Sequence, residues 1–472
     1  MITASRNARP VNRTATAELL ARHDVSGPRY TSYPTAVEFH DGISAADYER
    51  RLAEANAVGP DAPLSLYVHL PFCQERCLFC GCHVIITKHR EVAAPYLELL
   101  KREITLVAGR LPNRRRFAQL HLGGGTPTYY EPAQLSDFLR HLLDHFEPLP
   151  GAELALEVDP RVTTTAHLDA LADLGFNRVS MGVQDLTPAV QEAIGRIQSL
   201  DQTRRLIEHA RSRGFHGINV DLIYGLPLQT EETFEQTVNA VIGLGVDRAA
   251  VYSFAFVPWV RGHQKKLAES DFPEAALKLR LFAIARERFL EAGYEPIGMD
   301  HFARPDDELG RAKHEGRLRR NFQGYAVIPG DDVIGLGISA IGDVRGAYVQ
   351  NEKKLSTYEA SVLAGQLPVA RGVARSQDDD IRRTVIHELM CNFGVDIPLV
   401  ERRFGIDFAS YFAEDLRLLA SHERDGLATV SPTRIGVTPV GELIVRNIAM
   451  CFDRYMREKH ASDAKPVFSR TV

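Results

Sequence analysis

Apolar and polar residues alternate in short stretches through the middle of the chain, and this alternation indicates the fold. Residues 64–70 put Leu66, Val68 and Leu70 on one side of an extended segment and Tyr67 and His69 on the other, because successive side chains of a strand face opposite ways. Residues 153–158 set Leu154, Leu156 and Val158 against Glu153 and Glu157. Residues 217–223 set Ile218, Val220 and Leu222 against Asn219 and Asp221. Stretches at 118–122, 178–183 and 249–256 bring the strands to six, with longer helical segments between them. In the first of these, Leu97, Leu100, Ile104 and Val107 recur at helical spacing. Strands alternating with helices predict parallel β/α units. One face of each strand is suited to packing under helices. The other gathers polar groups toward the C-terminal ends, where barrels of this kind carry their chemistry. A closed eight-stranded barrel fills its interior with branched apolar side chains. Six strands with polar inner faces predict an α/β fold of another kind, an incomplete (β/α)6 barrel around a large polar ligand. An open sheet with one wetted face is the alternative.

The first strand runs directly into a loop that holds four of the six cysteines within ten residues. Cys73, Cys77 and Cys80 follow the spacing C-x3-C-x2-C. Three thiolates on so short a loop can converge on one inorganic centre. Ferredoxin patterns supply all four ligands of a cluster. Three ligands leave one iron of a four-iron cluster open to a small molecule, which points to catalysis rather than electron carriage. The spacing resembles that of the radical S-adenosylmethionine (SAM) enzymes, and the resemblance implies that the amino and carboxylate groups of SAM chelate the open iron. A structural zinc site on Cys73, Cys77, Cys80 and Cys82, or a disulfide, would be plausible if the loop stood alone. The run Gly123-Gly124-Gly125-Thr126-Pro127-Thr128 follows the second strand at the same end of the barrel as the cysteine loop. Consecutive glycines let backbone approach a ligand closely, so the run is assigned to the cofactor; a plain turn is the alternative.

The rest of the chain divides into an N-terminal arm (1–60), a catalytic domain with a C-terminal extension (61–365) and a mostly helical C-terminal domain (366–472). Residues 1–25 are polar, and mobility is expected at their start. Residues 26–35 hold prolines and two tyrosines without helical period, an extended arm that packs on another part of the molecule; residues 45–55 form a short helix. Further strands are expected at 294–301 and 332–341, and a linker at 365–376. Helices followed by a hairpin over 425–438 resemble a winged helix, but no basic recognition face accompanies them, which favours a lid or packing domain over DNA binding. The net charge of −5 gives no global case for nucleic acid or anionic membrane. Of two basic runs, Arg114-Arg115-Arg116 reads as solvated surface, and Arg317-Leu318-Arg319-Arg320 has the better claim to function. No run has the length of a signal peptide core or membrane helix. Clustered thiols suit a reducing cytoplasm.

Over nearly its whole length the sequence resembles the oxygen-independent coproporphyrinogen III oxidases, coproporphyrinogen dehydrogenases of the radical SAM superfamily. The resemblance is carried by the arm 27–35, the blocks 67–82, 122–128, 157–161, 175–185 and 221–227, the run 298–308, the block 320–325, and residues 446–448 and 451–453. It implies a 4Fe-4S cluster on Cys73, Cys77 and Cys80 and two molecules of SAM. Tyr67, Gly124, Glu157 and Ile341 would line the first SAM; Phe79, Gly125, Thr126, Gln184, Arg196, Asp221 and Ala255 would line the second. Tyr67, His69, Glu157, Phe322 and Gln323 are the implied catalytic positions. The reaction implied is radical oxidative decarboxylation of two propionates of coproporphyrinogen III to vinyls, giving protoporphyrinogen IX in anaerobic haem biosynthesis. Glu157 and Asp221 are natural acceptors for ribose hydroxyls or an amino group, and Arg196 a donor to a carboxylate. Arg29, Arg304 and Arg320 are candidate cations for the propionates.

The expected partners are the porphyrinogen and a low-potential electron donor such as flavodoxin or ferredoxin, with a cytoplasmic monomer and no nucleic acid or membrane. Cys82 is not assigned as a ligand, and Cys391 and Cys451 read as buried apolar thiols. Phe256 stands where relatives commonly carry a histidine. Two other readings share the core: a haem-binding chaperone, against which Cys82 and the arm speak, and a radical SAM enzyme of another substrate such as RNA, which the acidic charge disfavours.

Overall fold

The computed structural model describes residues 25–327, 330 and 332–460, together with 19, 22, 23, 468 and 470; the start of the N-terminal segment, read as mobile, lies outside the described residues. All six alternating stretches are strands: β1 (Leu64–Leu70), β2 (Arg116–Gly124), β3 (Glu147–Val158), β4 (Arg178–Gln184), β5 (Gly217–Tyr224) and β6 (Arg248–Ser253). They pair in parallel in chain order. Leu66, Val68, Leu70, Leu154, Leu156, Ile218, Val220 and Leu222 are all buried in one apolar core. The helix Ala94–Arg110 opens with a proline in its first turn and buries Leu97, Leu100, Ile104 and Val107 against the same core.

Three expectations outside the six strands need correction. Residues 294–301 are not one strand but two, β7 (Glu295–Ile297) and β8 (His301–Ala303), paired antiparallel. Gly298 turns the chain between them at φ +54, where a Cβ would fall 1.8 Å from Tyr325 Oη. Residues 332–341 likewise divide into β9 (Asp332–Leu336) and β10 (Ile341–Val344), again antiparallel; Gly337 and Ser339 both take positive φ in the turn. The stretch 365–376, expected as a linker, contains β12 (Val369–Ala374), which pairs with β11 (Ala347–Asn351). Its glycine is a packing requirement, since a Cβ on Gly372 would lie 2.2 Å from the Tyr348 carbonyl oxygen. Gly372 also exchanges backbone hydrogen bonds with His40 of the arm.

The resulting sheet runs β12-β11-β10-β9-β1-β2-β3-β4-β5-β6-β8-β7. Because β9 lies parallel beside β1, seven parallel strands form its centre, with antiparallel strands at both ends. Beyond it, the helices Gln377–Asn392, Ile397–Phe404 and Ala413–Arg424 and a three-stranded sheet whose hairpin is Ala428–Val430 and Arg434–Val437 give the winged-helix arrangement. The arm joins the two parts. Tyr30 and Tyr33 are buried in the C-terminal core, Tyr30 Oη donates to Asp453 Oδ2 (2.9 Å), and Arg29 Nη2 donates to the Ser253 carbonyl at the end of β6 (2.9 Å).

Arg114 departs furthest from the surface reading. It is fully buried, ion-paired with buried Asp332, and donates to the Ala62 carbonyl (2.7 Å) and the Ala55 carbonyl (3.2 Å). It therefore ties β9 to the segment before β1. Arg114→Met leaves a buried carboxylate without its cation and should cost about 3–5 kcal/mol, read as a lower denaturant midpoint. Adding Asp332→Leu should recover part of that loss, and no recovery would contradict the pairing.

Candidate active site

The cysteine loop leaves β1 through Phe72–Cys73, which pairs with Ile85–Ile86. The glycine run is folded against it: Gly125 N–H donates to the Leu70 carbonyl (2.8 Å) and Thr126 N–H to the Phe72 carbonyl (2.9 Å). A Cβ on Gly124 would sit 2.4 Å from the His69 ring, and one on Gly125 would sit 2.5 Å from the Pro71 backbone. These glycines are thus required by the approach of the two loops, whatever else they contact. Thr126 Oγ1 lies 3.4 Å from Cys73 Sγ.

Two guanidinium groups face the middle thiol. Arg161 Nη2 is 3.4 Å and Arg196 Nη1 3.6 Å from Cys77 Sγ. Asp159 holds both: it accepts from Arg161 Nη2 (2.7 Å) and Arg196 Nη1 (2.9 Å). Burial raises the Asp159 carboxyl, but Arg196 and Arg161 outweigh it and hold the group below its ordinary range. Arg196 Nε is buried without a hydrogen-bond partner. Among the described residues no three donors are gathered closely enough to enclose a single ion, so the thiol positions alone do not separate a cluster from zinc. The surroundings, a three-thiol set flanked by cations and an unsatisfied buried N–H, fit an anionic centre such as an iron–sulfur cluster with a polar ligand beside it.

On the inner face of the sheet, Tyr67 and His69 form a fixed pair. His69 Nε2–H donates to the His83 carbonyl (2.9 Å), leaving Nδ1 to accept from Tyr67 Oη (3.0 Å). Burial pushes the imidazole down to about 4, so it is neutral and its tautomer is set by these bonds. Glu157 sits opposite with His121 Nε2 at 3.4 Å and Gly124 N–H at 3.3 Å. Burial raises its carboxyl, yet His121 and the Gly124 amide bring it below the ordinary range. Asp221, one strand pair further along, accepts from Ser180 Oγ (3.2 Å) and Asn219 Nδ2 (2.8 Å). Burial, and then the charge of Glu157, push it up to about 6.

Tyr67, His69, Gly124, Glu157, Phe322, Gln323 and Ile341 all line one cavity of about 1120 Å³. Its far wall comes from the block 319–323 and the helix Gln377–Asn392, with Arg319, Arg320, Arg375 and Arg383. Arg320 is 4% exposed, and neither its Nε nor its Nη1 has a hydrogen-bond partner. His387 on the same wall is held well below its ordinary range, by burial first and then by the charges of Arg383, Arg319, Arg320 and Arg375.

A radical SAM superfamily model matches residues 67–241, and a HemN C-terminal domain model matches residues 376–444. The oxygen-independent coproporphyrinogen III oxidase of Pseudomonas aeruginosa is 44% identical over 93% of this chain and 96% of its own length. That of Escherichia coli K12 is 45% identical over 93% of this chain and 95% of its own length. The chain belongs to the oxygen-independent coproporphyrinogen III oxidases. The solved coproporphyrinogen III oxidase of Escherichia coli, described as a radical SAM enzyme, superposes with a TM-score of 0.87, covering 90% of this chain and 97% of that one.

Within this oxidase fold, the remaining sequence-selected residues lie around the cysteine loop rather than along the cavity. Arg196 and Thr126 touch Cys77 and Cys73 as described. Gln184 stands at φ +69, where β4 slips register beside Gly182. Phe79 joins an apolar cluster with Ile194, Ile223 and Phe254, and the Ala255 carbonyl accepts from Gln264 Nε2 (3.1 Å). Phe256 belongs to that cluster too, 4.8 Å between ring centroids from Phe272, so the departure from the family histidine faces apolar packing. Of the three arginines offered as propionate cations, only Arg320 lines the cavity. Arg29 is used at the end of β6. Arg304 lies at the opposite end of the sheet, donating to the Val246 carbonyl before β6 (3.2 Å). Asp159, Arg161, His121 and His83 were not singled out from the sequence. Asp159 and Arg161 could have been, since they continue the family block that begins at Glu157.

Proposed function

We propose that this chain carries out the oxygen-independent oxidation of coproporphyrinogen III, converting two propionates to vinyls and yielding protoporphyrinogen IX for haem biosynthesis. Each propionate gives up a β-hydrogen atom to the SAM-derived carbon radical, then CO2 and one electron, the electron passing to an external acceptor, and the vinyl is left. When bound, the cluster and SAM supply the low-potential electron and the hydrogen-abstracting carbon radical. The polypeptide supplies position and seclusion. Cys73, Cys77 and Cys80 are the cluster thiolates, with Arg161 and Arg196 balancing charge at Cys77. Tyr67, Gly124, Glu157 and Ile341 serve a first SAM; Phe79, Gly125, Thr126, Gln184, Arg196, Asp221 and Ala255 serve a second. Phe322, Gln323 and His69 position the porphyrinogen. With domain bounds of 1–60, 61–365 and 366–472, the described parts of the arm (25–60) and of the C-terminal domain (366–460) close over the catalytic part, and β12 stitches the last domain into its sheet. The chain works as a cytoplasmic monomer fed by flavodoxin or ferredoxin.

The observation that carries the substrate reading is Arg320, a buried residue of the cavity lining whose Nε and Nη1 have no hydrogen-bond partner. A substrate with four carboxylates supplies the missing acceptors. Anaerobic incubation of the reconstituted protein with SAM, reductant and coproporphyrinogen III should give protoporphyrinogen IX. Unchanged porphyrinogen together with tight haem binding would transfer the chain to the chaperone reading.

Asp221 carries a further prediction. A carboxyl raised to about 6 is ionised above that pH and protonated below it, where it loses acceptor capacity. SAM affinity should therefore weaken as pH falls from 7.5 to 5.5. Asp221→Asn should keep the cluster, bind SAM about tenfold more weakly at pH 7.5, and lose that pH dependence. Unchanged affinity would remove Asp221 from the SAM site.

A further inference from the structure

The outer side of the cysteine loop is covered by the segment after β6. His263 Nε2 donates to the Cys80 carbonyl (2.9 Å), and Arg261 donates to the Gly81 carbonyl. Just before Arg261 come Trp259 and Val260, 62% and 59% exposed. Trp259 is the chain's single tryptophan. A second exposed apolar side chain, Ile197 at 65%, follows the turn whose Ile194 carbonyl accepts from Leu78 N–H of the cysteine loop (2.9 Å). Singly exposed apolar side chains are ordinary, but Trp259 and Val260 are adjacent, large and more than half exposed, and their segment is the one hydrogen-bonded to the cysteine loop.

The patch is also basic. The charges of Arg76, Arg261 and Lys266 all act at the His263 ring, and that of Arg261 also reaches Lys353. Arg76, Lys265, Lys266 and Lys353 are exposed. No salt bridge involves Arg76, Arg261, Lys265, Lys266 or Lys353 among the described residues, while the nearby acid Glu75 faces Lys88 at 3.7 Å. A local excess of positive charge on a chain of net charge −5 is a directed feature rather than a global one, and such rims steer oppositely charged partners. Gly81 and Cys82 are exposed at its edge, so a redox group seated there lies against the loop that holds the cluster.

We propose that Trp259, Val260 and the rim of Arg76, Lys265 and Lys266 form the docking site of a small acidic flavodoxin, which passes one electron to the cluster behind Cys80. The apolar indole matches the dimethylbenzene edge of a flavin, and the cations match an acidic surface around it. Each transfer oxidises the anionic flavin hydroquinone to the neutral semiquinone, with no proton released, and reduces the cluster by one electron. The proposal rests on the oxidase reading, and two readouts keep the two separable.

Reduced Escherichia coli flavodoxin and dithionite are compared as electron sources for the full chain. In Trp259→Ser and in Lys265→Glu/Lys266→Glu, 5′-deoxyadenosine formation with flavodoxin should fall about tenfold or more, and that with dithionite should be unchanged. Flavodoxin affinity, titrated without SAM, should weaken about tenfold in the charge-reversed variant, and the salt dependence of the unmodified protein should flatten. The affinity readout holds whether or not SAM is cleaved; failure of the dithionite arm in the unmodified protein counts against the oxidase reading alone. Unchanged flavodoxin affinity and rate in both variants would overturn the docking site. So would losses confined to an iron–sulfur ferredoxin, equal losses with dithionite, or a self-association that Trp259→Ser abolishes while flavodoxin binding persists.

Discussion

Cys77→Ser should yield a folded protein that holds no intact cluster and forms no detectable 5′-deoxyadenosine. The expectation follows from the position of that thiol. Cys77 is buried, and its sulfur lies 3.4 Å from Arg161 Nη2 and 3.6 Å from Arg196 Nη1, which Asp159 holds in place. A serine hydroxyl in that place is a far harder and less acidic ligand than a thiolate. Iron and acid-labile sulfide analysis, with visible absorbance, reads the loss, and far-ultraviolet circular dichroism reads the fold. Cys82→Ser serves as the comparison. The Cys82 amide donates to Cys80 Sγ (3.4 Å), a bond its backbone keeps in the variant, so the cluster should survive. A cluster lost equally in both variants would favour a four-cysteine site. A cluster-replete, active Cys77→Ser protein would remove Cys77 from the ligand set.

Arg320→Met should weaken coproporphyrinogen III binding by about 10- to 100-fold, with SAM affinity and cluster content unchanged. A hydrogen bond to a charged group is worth about 1.5–3 kcal/mol, and each 1.4 kcal/mol is about tenfold in affinity. The fold should tolerate the change, because Arg320 Nε and Nη1 have no hydrogen-bond partner. A methionine can also keep covering the Tyr325 ring, which now lies 4.5 Å from the guanidinium carbon. Arg320→Lys should recover only part of the loss, since it keeps the charge but not the planar fork that fits a carboxylate. Substrate affinity measured by quenching or by KM checks the effect. An unaltered value would mean that Arg320 serves only the Tyr325 ring and the buried Asp300, whose carboxyl it helps hold below its ordinary range.

The centre of the fold was legible because strand alternation is a local signal. Leu66 and Val68 against Tyr67 and His69 place the apolar face and the reactive face without knowledge of any other strand. Cysteine spacing was legible for the same reason. What the sequence concealed depends on distant partners. Arg114 looked like surface because three arginines in a row usually are; only the fold supplies Asp332 to bury it. Residues 365–376 looked like a linker because glycine and proline mark turns, whereas Gly372 is small in order to let the Tyr348 backbone approach. Arg304 looked like a substrate cation until the sheet put it at the wrong end of its strand. The wall of Arg375, Arg383 and His387 carries no motif at all, since it arises where a C-terminal helix is laid across the open side of the sheet.

The most direct measurement follows hydrogen from substrate to cofactor. Coproporphyrinogen III deuterated at the β-carbons of its propionates is incubated anaerobically with SAM, reductant and the reconstituted protein. Deuterium should appear in 5′-deoxyadenosine, accompanied by vinyl-bearing product. SAM cleavage with no deuterium in 5′-deoxyadenosine and no vinyl formed would contradict the account at its centre.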